Sequence, residues 1–292
     1  MGENHILEND LLLIEINDLG AELVRIYDKK NKREVLWNGN PDWWSRHAPI
    51  LFPFVGTCYQ NQYHYKGDTY SMTGHGFARN KEMKCELEQE NQVVHSFTDD
   101  EETRKNYPFS FCLKVTHTLK DRTILVSWDV INTGEEDMYF SIGGHPAFMM
   151  PEGIEQKDCG LFFENKNPLT YFLIDEKSKG ANTANPYTLE TDQGHITIGT
   201  DRFEKDALIF ENQQVEEVTL TLPDKIPYVT MNSKGFPYMG IWSKPGAPFV
   251  CLEPWYGRCD DNEFTGDLTE KTGVNHLKPK EKFHAQYEII IQ

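Results

Sequence analysis

Apolar and polar residues alternate with a period of two through much of this chain. Between Thr123 and Ile131, Ile124, Val126, Trp128 and Val130 fall on one side, the pattern of a strand with one face buried. Phe109 to Leu119 repeats it through Phe111, Leu113 and Val115. Lys120-Asp121-Arg122 between the two runs has the length of a hairpin connection. The same reading predicts strands at Leu11–Ile16, Ala21–Tyr27, Met138–Ile142, Ala207–Phe210, Val218–Leu222, Tyr228–Asn232, Tyr238–Trp242, Phe249–Glu253 and Ala285–Ile291. Turn chemistry separates them, as in Asn132-Thr133-Gly134 and Ser243-Lys244-Pro245-Gly246. No long amphipathic helix emerges. Asp99–Tyr107 has room for a turn or two and Asp201–Asp206 for a shorter piece, and the polar stretch from Glu152 to Asn185 reads as a long loop.

Many short strands without helical crossovers predict an all-β fold, a large antiparallel β-sandwich with few short helices. No low-complexity linker or internal repeat divides the 292 residues, so a single domain over residues 1–292 is expected.

Composition narrows the partners. No apolar run approaches the ~20 residues of a membrane span, and Met1-Gly2-Glu3-Asn4-His5 is too polar for a secretory signal. A cytoplasmic protein without a membrane partner is expected. A net charge of −17 repels phosphate backbones and argues against nucleic acid. The six cysteines include no C-x-x-C pair, and Cys112 and Cys251 sit in apolar runs, so reduced thiols that pack as small hydrophobes are expected.

Nucleotide-binding glycine loops, the serine-hydrolase elbow and the zincin helix motif are absent. Three segments instead place titratable residues where a strand would not choose them. In Thr73-Gly74-His75-Gly76-Phe77-Ala78-Arg79 a histidine lies between glycines, where backbone can approach a ligand. Arg79 then serves either a polar ligand or a surface ion pair. In Ser141-Ile142-Gly143-Gly144-His145-Pro146 the proline holds the histidine backbone extended. In Phe249-Val250-Cys251-Leu252-Glu253-Pro254-Trp255 a carboxylate closes an apolar strand, which is costly unless it is paired or functional. Taken singly, each also fits a purely structural role: a turn histidine, a buried histidine and an edge glutamate.

Taken together and in this order, the three segments resemble the aldose 1-epimerase (galactose mutarotase-like) superfamily, in its LacX-like branch. Asp18-Leu19-Gly20-Ala21-Glu22-Leu23 and His47-Ala48-Pro49-Ile50-Leu51-Phe52-Pro53 add to the resemblance. It implies a β-supersandwich that interconverts α and β anomers of a hexose or related aldose. His145 would be the acid that protonates the ring oxygen, and Glu253 the base that takes the anomeric proton. His75 would position the ring oxygen, while Arg79, Asp206 and Trp255 would bind the sugar. No cofactor, metal or covalent intermediate is implied, and the partner is a small-molecule sugar for a monomer or homodimer. Nearby carboxylates are expected to favour the charged form of His145.

One departure bears on specificity: Thr57 stands where LacX-like relatives often carry arginine. The His-Gly-Phe-Ala-Arg segment also occurs in the hexose-6-phosphate branch, where Arg46, Arg79 or a lysine would meet the phosphate. A non-catalytic carbohydrate-binding or sensing protein, using Trp37, Trp43, Trp44, Trp242 or Trp255 as stacking platforms, is an alternative. So is a metal enzyme holding an ion between His75, His145 and Glu253.

Overall fold

The computed structural model describes residues 2–292 except Lys166 and Glu176. Every pairing between its strands is antiparallel. A nine-stranded sheet is centred on the ten-residue strands Phe111–Lys120, Thr123–Asn132 and Lys282–Ile291. Its period-two alternation is complete: Phe111, Leu113, Val115, Ile124, Val126, Trp128 and Val130 are buried and the residues between them are partly exposed. An eight-stranded sheet contains Tyr238–Trp242, Phe249–Tyr256, Ile142–Gly144 and Ile50–Leu51 side by side. A four-stranded sheet over residues 4–34 adds its apolar residues to the same core.

The eight-stranded sheet is buried on both faces. Val250, Leu252, Met239 and Ile241 join the main core. On the opposite face Leu51, Val55, Ile209 and Trp255 form a second apolar cluster. Trp37, Ala147, Phe249 and Cys251 form a third, against which Trp43, Trp44 and Trp242 pack. A polar group rising from that second face therefore lies between two apolar walls.

Three expectations are corrected. Met138–Ile142 is not one strand: Met138–Phe140 pairs with Asn275–Leu277, while Ile142–Gly144 joins the eight-stranded sheet. The break falls at buried Ser141, whose N–H donates to the Pro53 carbonyl instead of to a ladder. Asp201–Asp206 folds as turns. The stretch from Glu152 to Asn185 contains the strands Gly160–Phe163 and Leu169–Phe172, whose buried Leu161, Phe163 and Leu169 supply the ladder and core that a loop lacks. The turn at Asp99–Tyr107 becomes the helix Glu101–Asn106, capped by Asp100 accepting from the Thr103 N–H.

Candidate functional site

Strand alternation builds the site. Along Phe249–Tyr256, Val250 and Leu252 point into the main core, so Cys251, Glu253 and Trp255 share the opposite face. Trp255 lies flat across the sheet, and two glycines make this possible. Gly143 pairs with Trp255, and Gly240 pairs with Glu253 on the other side. A Cβ on Gly143 would come within 2.4 Å of Trp255 Cδ1, and one on Gly240 within 2.3 Å of its Cη2. Glycine inside these strands marks the close approach of a ring.

His145 follows the Ile142–Gly144 strand, its backbone N–H donating to the Pro49 carbonyl. This directs its imidazole to the same face, where Nε2 stands 3.2 Å from Glu253 Oε2. The two atoms touch but are not aligned as a hydrogen bond, so Oε2 has no partner, and neither has His145 Nδ1. Trp44 stacks on the imidazole at 4.7 Å between ring centroids, and Trp242 meets its edge at 5.7 Å. The Trp44 carbonyl accepts from the indole N–H of buried Trp37, which pins the stacking loop.

His75 is clamped by one residue. Its backbone N–H donates to the Gly56 carbonyl, and its Nδ1 accepts the Gly56 N–H at 3.2 Å. The clamp holds His75 in the left-handed region, φ 65°, a conformation that non-glycine residues rarely adopt. Because Nδ1 accepts, the neutral ring carries its proton on Nε2. Burial, and then the Arg79 charge, lower its pKa to about 3. His75 is therefore a fixed donor at neutral pH. Arg79 donates from Nη2 to the Gly74 carbonyl and leaves Nε buried and unpartnered.

These groups surround a cavity of about 310 Å³ whose wall includes His75, Arg79, His145, Asp206, Glu253 and Trp255. All six site residues expected from sequence meet there. Asp206 is the exposed one, in a positive-φ turn (φ 76°) with Oδ1 accepting the Ala207 N–H. Four buried polar atoms of the lining lack partners: Arg79 Nε, His145 Nδ1, Glu253 Oε2 and Trp255 Nε1. Such atoms are scarce in folded proteins, and their convergence on one hollow marks a place for a polar ligand.

The expected charge on His145 is not what this environment favours. Burial lowers its pKa well below the ordinary value, with His75 and Arg79 adding to the effect. Burial likewise holds Glu253 well above the carboxylate range, helped by the charge of Asp206 and opposed by the nearby Trp255 indole. In both groups desolvation is the largest cause, and it favours the neutral form of each.

Among the described residues, the metal-capable group here is His145, Cys251 and Glu253, with ligand atoms within 4.8 Å of one another. His75 does not belong to it. Arg46 does not line the cavity; its Nη1 donates to the Arg79 carbonyl from behind. Of the five tryptophans considered as platforms, Trp44, Trp242 and Trp255 reach the cavity wall, and Trp37 is buried beneath it. Sequence reasoning did not single out Val55, Ile174, Lys179 or Ile209, which also line it.

Residues 4–261 match the family described as aldose 1-epimerase. The chain is 30% identical over 301 aligned residues to the chromosomal LacX protein of Lactococcus lactis, covering 98% of each. A crystal structure described as a galactose mutarotase related enzyme, from Lactobacillus acidophilus, superposes with a TM-score of 0.94 at 33% identity, over 99% of this chain and 97% of that one. A galactose mutarotase-like protein from Lactobacillus casei gives 0.90 at 27% identity, over 99% and 100%. Among the described residues no helix is long and apolar enough to cross a membrane. The chain belongs to the aldose 1-epimerase family, in its LacX-like branch.

Proposed function

We propose that the protein is a cofactor-independent aldose 1-epimerase that opens and recloses the ring of a hexose or related aldose by paired proton transfer. The observation that carries this is the contact between His145 and Glu253, 3.2 Å apart on the wall of a cavity edged by unpartnered polar atoms. The anomeric hydroxyl and the ring oxygen share one carbon and lie slightly closer together than that, so an acid and a base at this spacing can serve both.

The proton balance closes. The pair holds one proton, which passes across the contact to leave a carboxylate and an imidazolium. Glu253 takes the anomeric O–H proton as His145 protonates the ring oxygen and the C1–O bond breaks, giving the open aldehyde. Rotation about C1–C2 and the reverse transfers close the ring on the other face, restoring the starting protonation. His75, a neutral Nε2–H donor, holds the ring oxygen. Arg79 and Asp206 bond hydroxyls, and Trp255 receives the C–H face of the sugar.

Arg79 and Lys179, cations on the same wall, favour a second reading in which the sugar carries a 6-phosphate. NMR exchange spectroscopy on the anomers of glucose, galactose and their 6-phosphates, with and without excess chelator, tests both. Acid/base epimerisation requires exchange above the buffer rate for at least one sugar, unchanged by chelation. No exchange with any sugar would favour a binding protein, and loss on chelation would favour an ion at His145, Cys251 and Glu253.

A further inference from the structure

A second group of histidines lies outside the cavity, where the first strand of the four-stranded sheet meets the nine-stranded one. Its members come from four separate places in the chain. Cys85 and His95 are direct partners across the hairpin strands Lys84–Gln89 and Gln92–Thr98, so their side chains leave the same face. A register shift follows immediately, between Cys85 and Leu87, and such irregularities re-aim side chains. His5 arrives from the first strand, its ring edge-on to His95 at 5.2 Å. Ring nitrogens of both histidines and the Cys85 sulfur lie within 4.8 Å of one another.

We propose that His5, Cys85 and His95 bind a divalent transition ion, zinc best of all, with Asp18 as the carboxylate placed to complete the set. Two imidazoles, a thiolate and a carboxylate form a ligand set that suits a tetrahedral zinc. The supporting contacts of such a site are already present. Asp18 Oδ1 bonds His95 Nε2 at 3.1 Å and His5 Nε2 at 2.9 Å, and Glu88 Oε2 bonds His5 Nδ1 at 2.9 Å. Glu88 thus holds His5 through its second nitrogen, as metal-ligating imidazoles ordinarily are held, and an ion between His5 Nε2 and Asp18 would replace the proton they share. The remaining nitrogen of His95, Nδ1, is fully buried with no partner.

Zinc bonds of about 2.0–2.3 Å put tetrahedral ligands about 3.3–3.8 Å apart, so side chains now within 4.8 Å must close by about 1 Å. Cys85 is half-exposed and the Glu88 side chain is 53% exposed, which gives an ion its route in from the sheet edge. Binding would release to solvent the thiol proton and the proton that His5 shares with Asp18, and would fasten the first sheet to the second. The carboxylates of Asp18 and Glu88 offset the incoming charge here, whereas the group at His145, Cys251 and Glu253 has one carboxyl, held protonated by burial.

The test uses the full chain, stripped with chelator and then titrated with zinc, and with cobalt(II) as a chromophoric substitute. Wild type should take up one zinc per chain, gain several degrees in Tm, and show a thiolate-to-cobalt charge-transfer band. Cys85→Ser, at a half-exposed position that tolerates the change, should lose the band and the Tm gain, while Cys251→Ser should keep both. No Tm gain in wild type, a gain that survives in Cys85→Ser, or a band lost only in Cys251→Ser would each overturn the assignment.

Discussion

Two buried clusters in this protein use nearly the same residues and put them to different ends. At the cavity, His75, His145 and Glu253 stand beside Cys251; where the sheets meet, His5, His95, Asp18 and Glu88 stand beside Cys85. In the second cluster three imidazole nitrogens hold carboxylates, and Asp18 also accepts the Glu3 N–H. In the first, the close atoms of His145 and Glu253 touch without a hydrogen bond, and the unpartnered atoms belong to residues that line a hollow. Their electrostatics diverge accordingly. For His5 the desolvation of burial is outweighed by its bonds to Glu88 and Asp18, and its pKa rises; for His145 burial wins and its pKa falls. Residue type alone does not separate a fastening from a catalyst, whereas the balance of satisfied bonds does.

The comparison can be broken by removing one group from each cluster. His145→Gln should reduce the rate of anomer exchange by ~10²–10⁴-fold, the range for losing an acid–base group, and leave Tm close to wild type because no aligned bond is lost. Comparable exchange in the variant would remove His145 from the chemistry. Asp18→Ala should do the reverse. It strands two imidazoles and a backbone N–H, at a cost of about 3 kcal/mol visible in urea unfolding, with exchange within a few-fold of wild type. An unchanged urea midpoint would show that the cluster does not fasten the sheets.

The smallest effect is a displacement in pH. The active pair carries one proton: it gains a second at a pH lowered by the burial of His145, and loses its last at a pH raised by the burial of Glu253. The two steps are pushed apart, so kcat/KM should be flat across neutral pH. The charge of Asp206 helps keep Glu253 protonated. Asp206→Asn removes it, Glu253 then releases its proton more readily, and the alkaline limb should move to lower pH. An upward or absent shift would mean that Glu253 does not set that limb.

The fold was legible where one face of a strand is buried and the other wet, as at Thr123–Asn132. It was not legible at polar edges. Lys84–Gln89 has five exposed residues of six, so the alternation at Cys85 and Leu87 marks no buried face, and the short strand His195–Thr197 has none buried. His145 and Glu253 stood out because they interrupt apolar strands, and His75 because glycines flank it, whereas the expectation for Asp206 came from the family resemblance alone. Trp44 could not be assigned to His145, since the stacking depends on a loop folding across the sheet. The tautomer of His75 rests on one backbone N–H nineteen residues away at Gly56. The charge state of His145 rests on burial, which no local pattern encodes.

Glu253→Gln tests the central claim most directly. The amide keeps the size and most of the bonding of the carboxyl but cannot accept the anomeric proton. Equilibrium sugar binding and NMR anomer exchange would be measured on wild type and variant at the same pH. Acid/base catalysis predicts similar affinity with exchange slower by ~10²–10⁴-fold; equal exchange rates in the two proteins would contradict it.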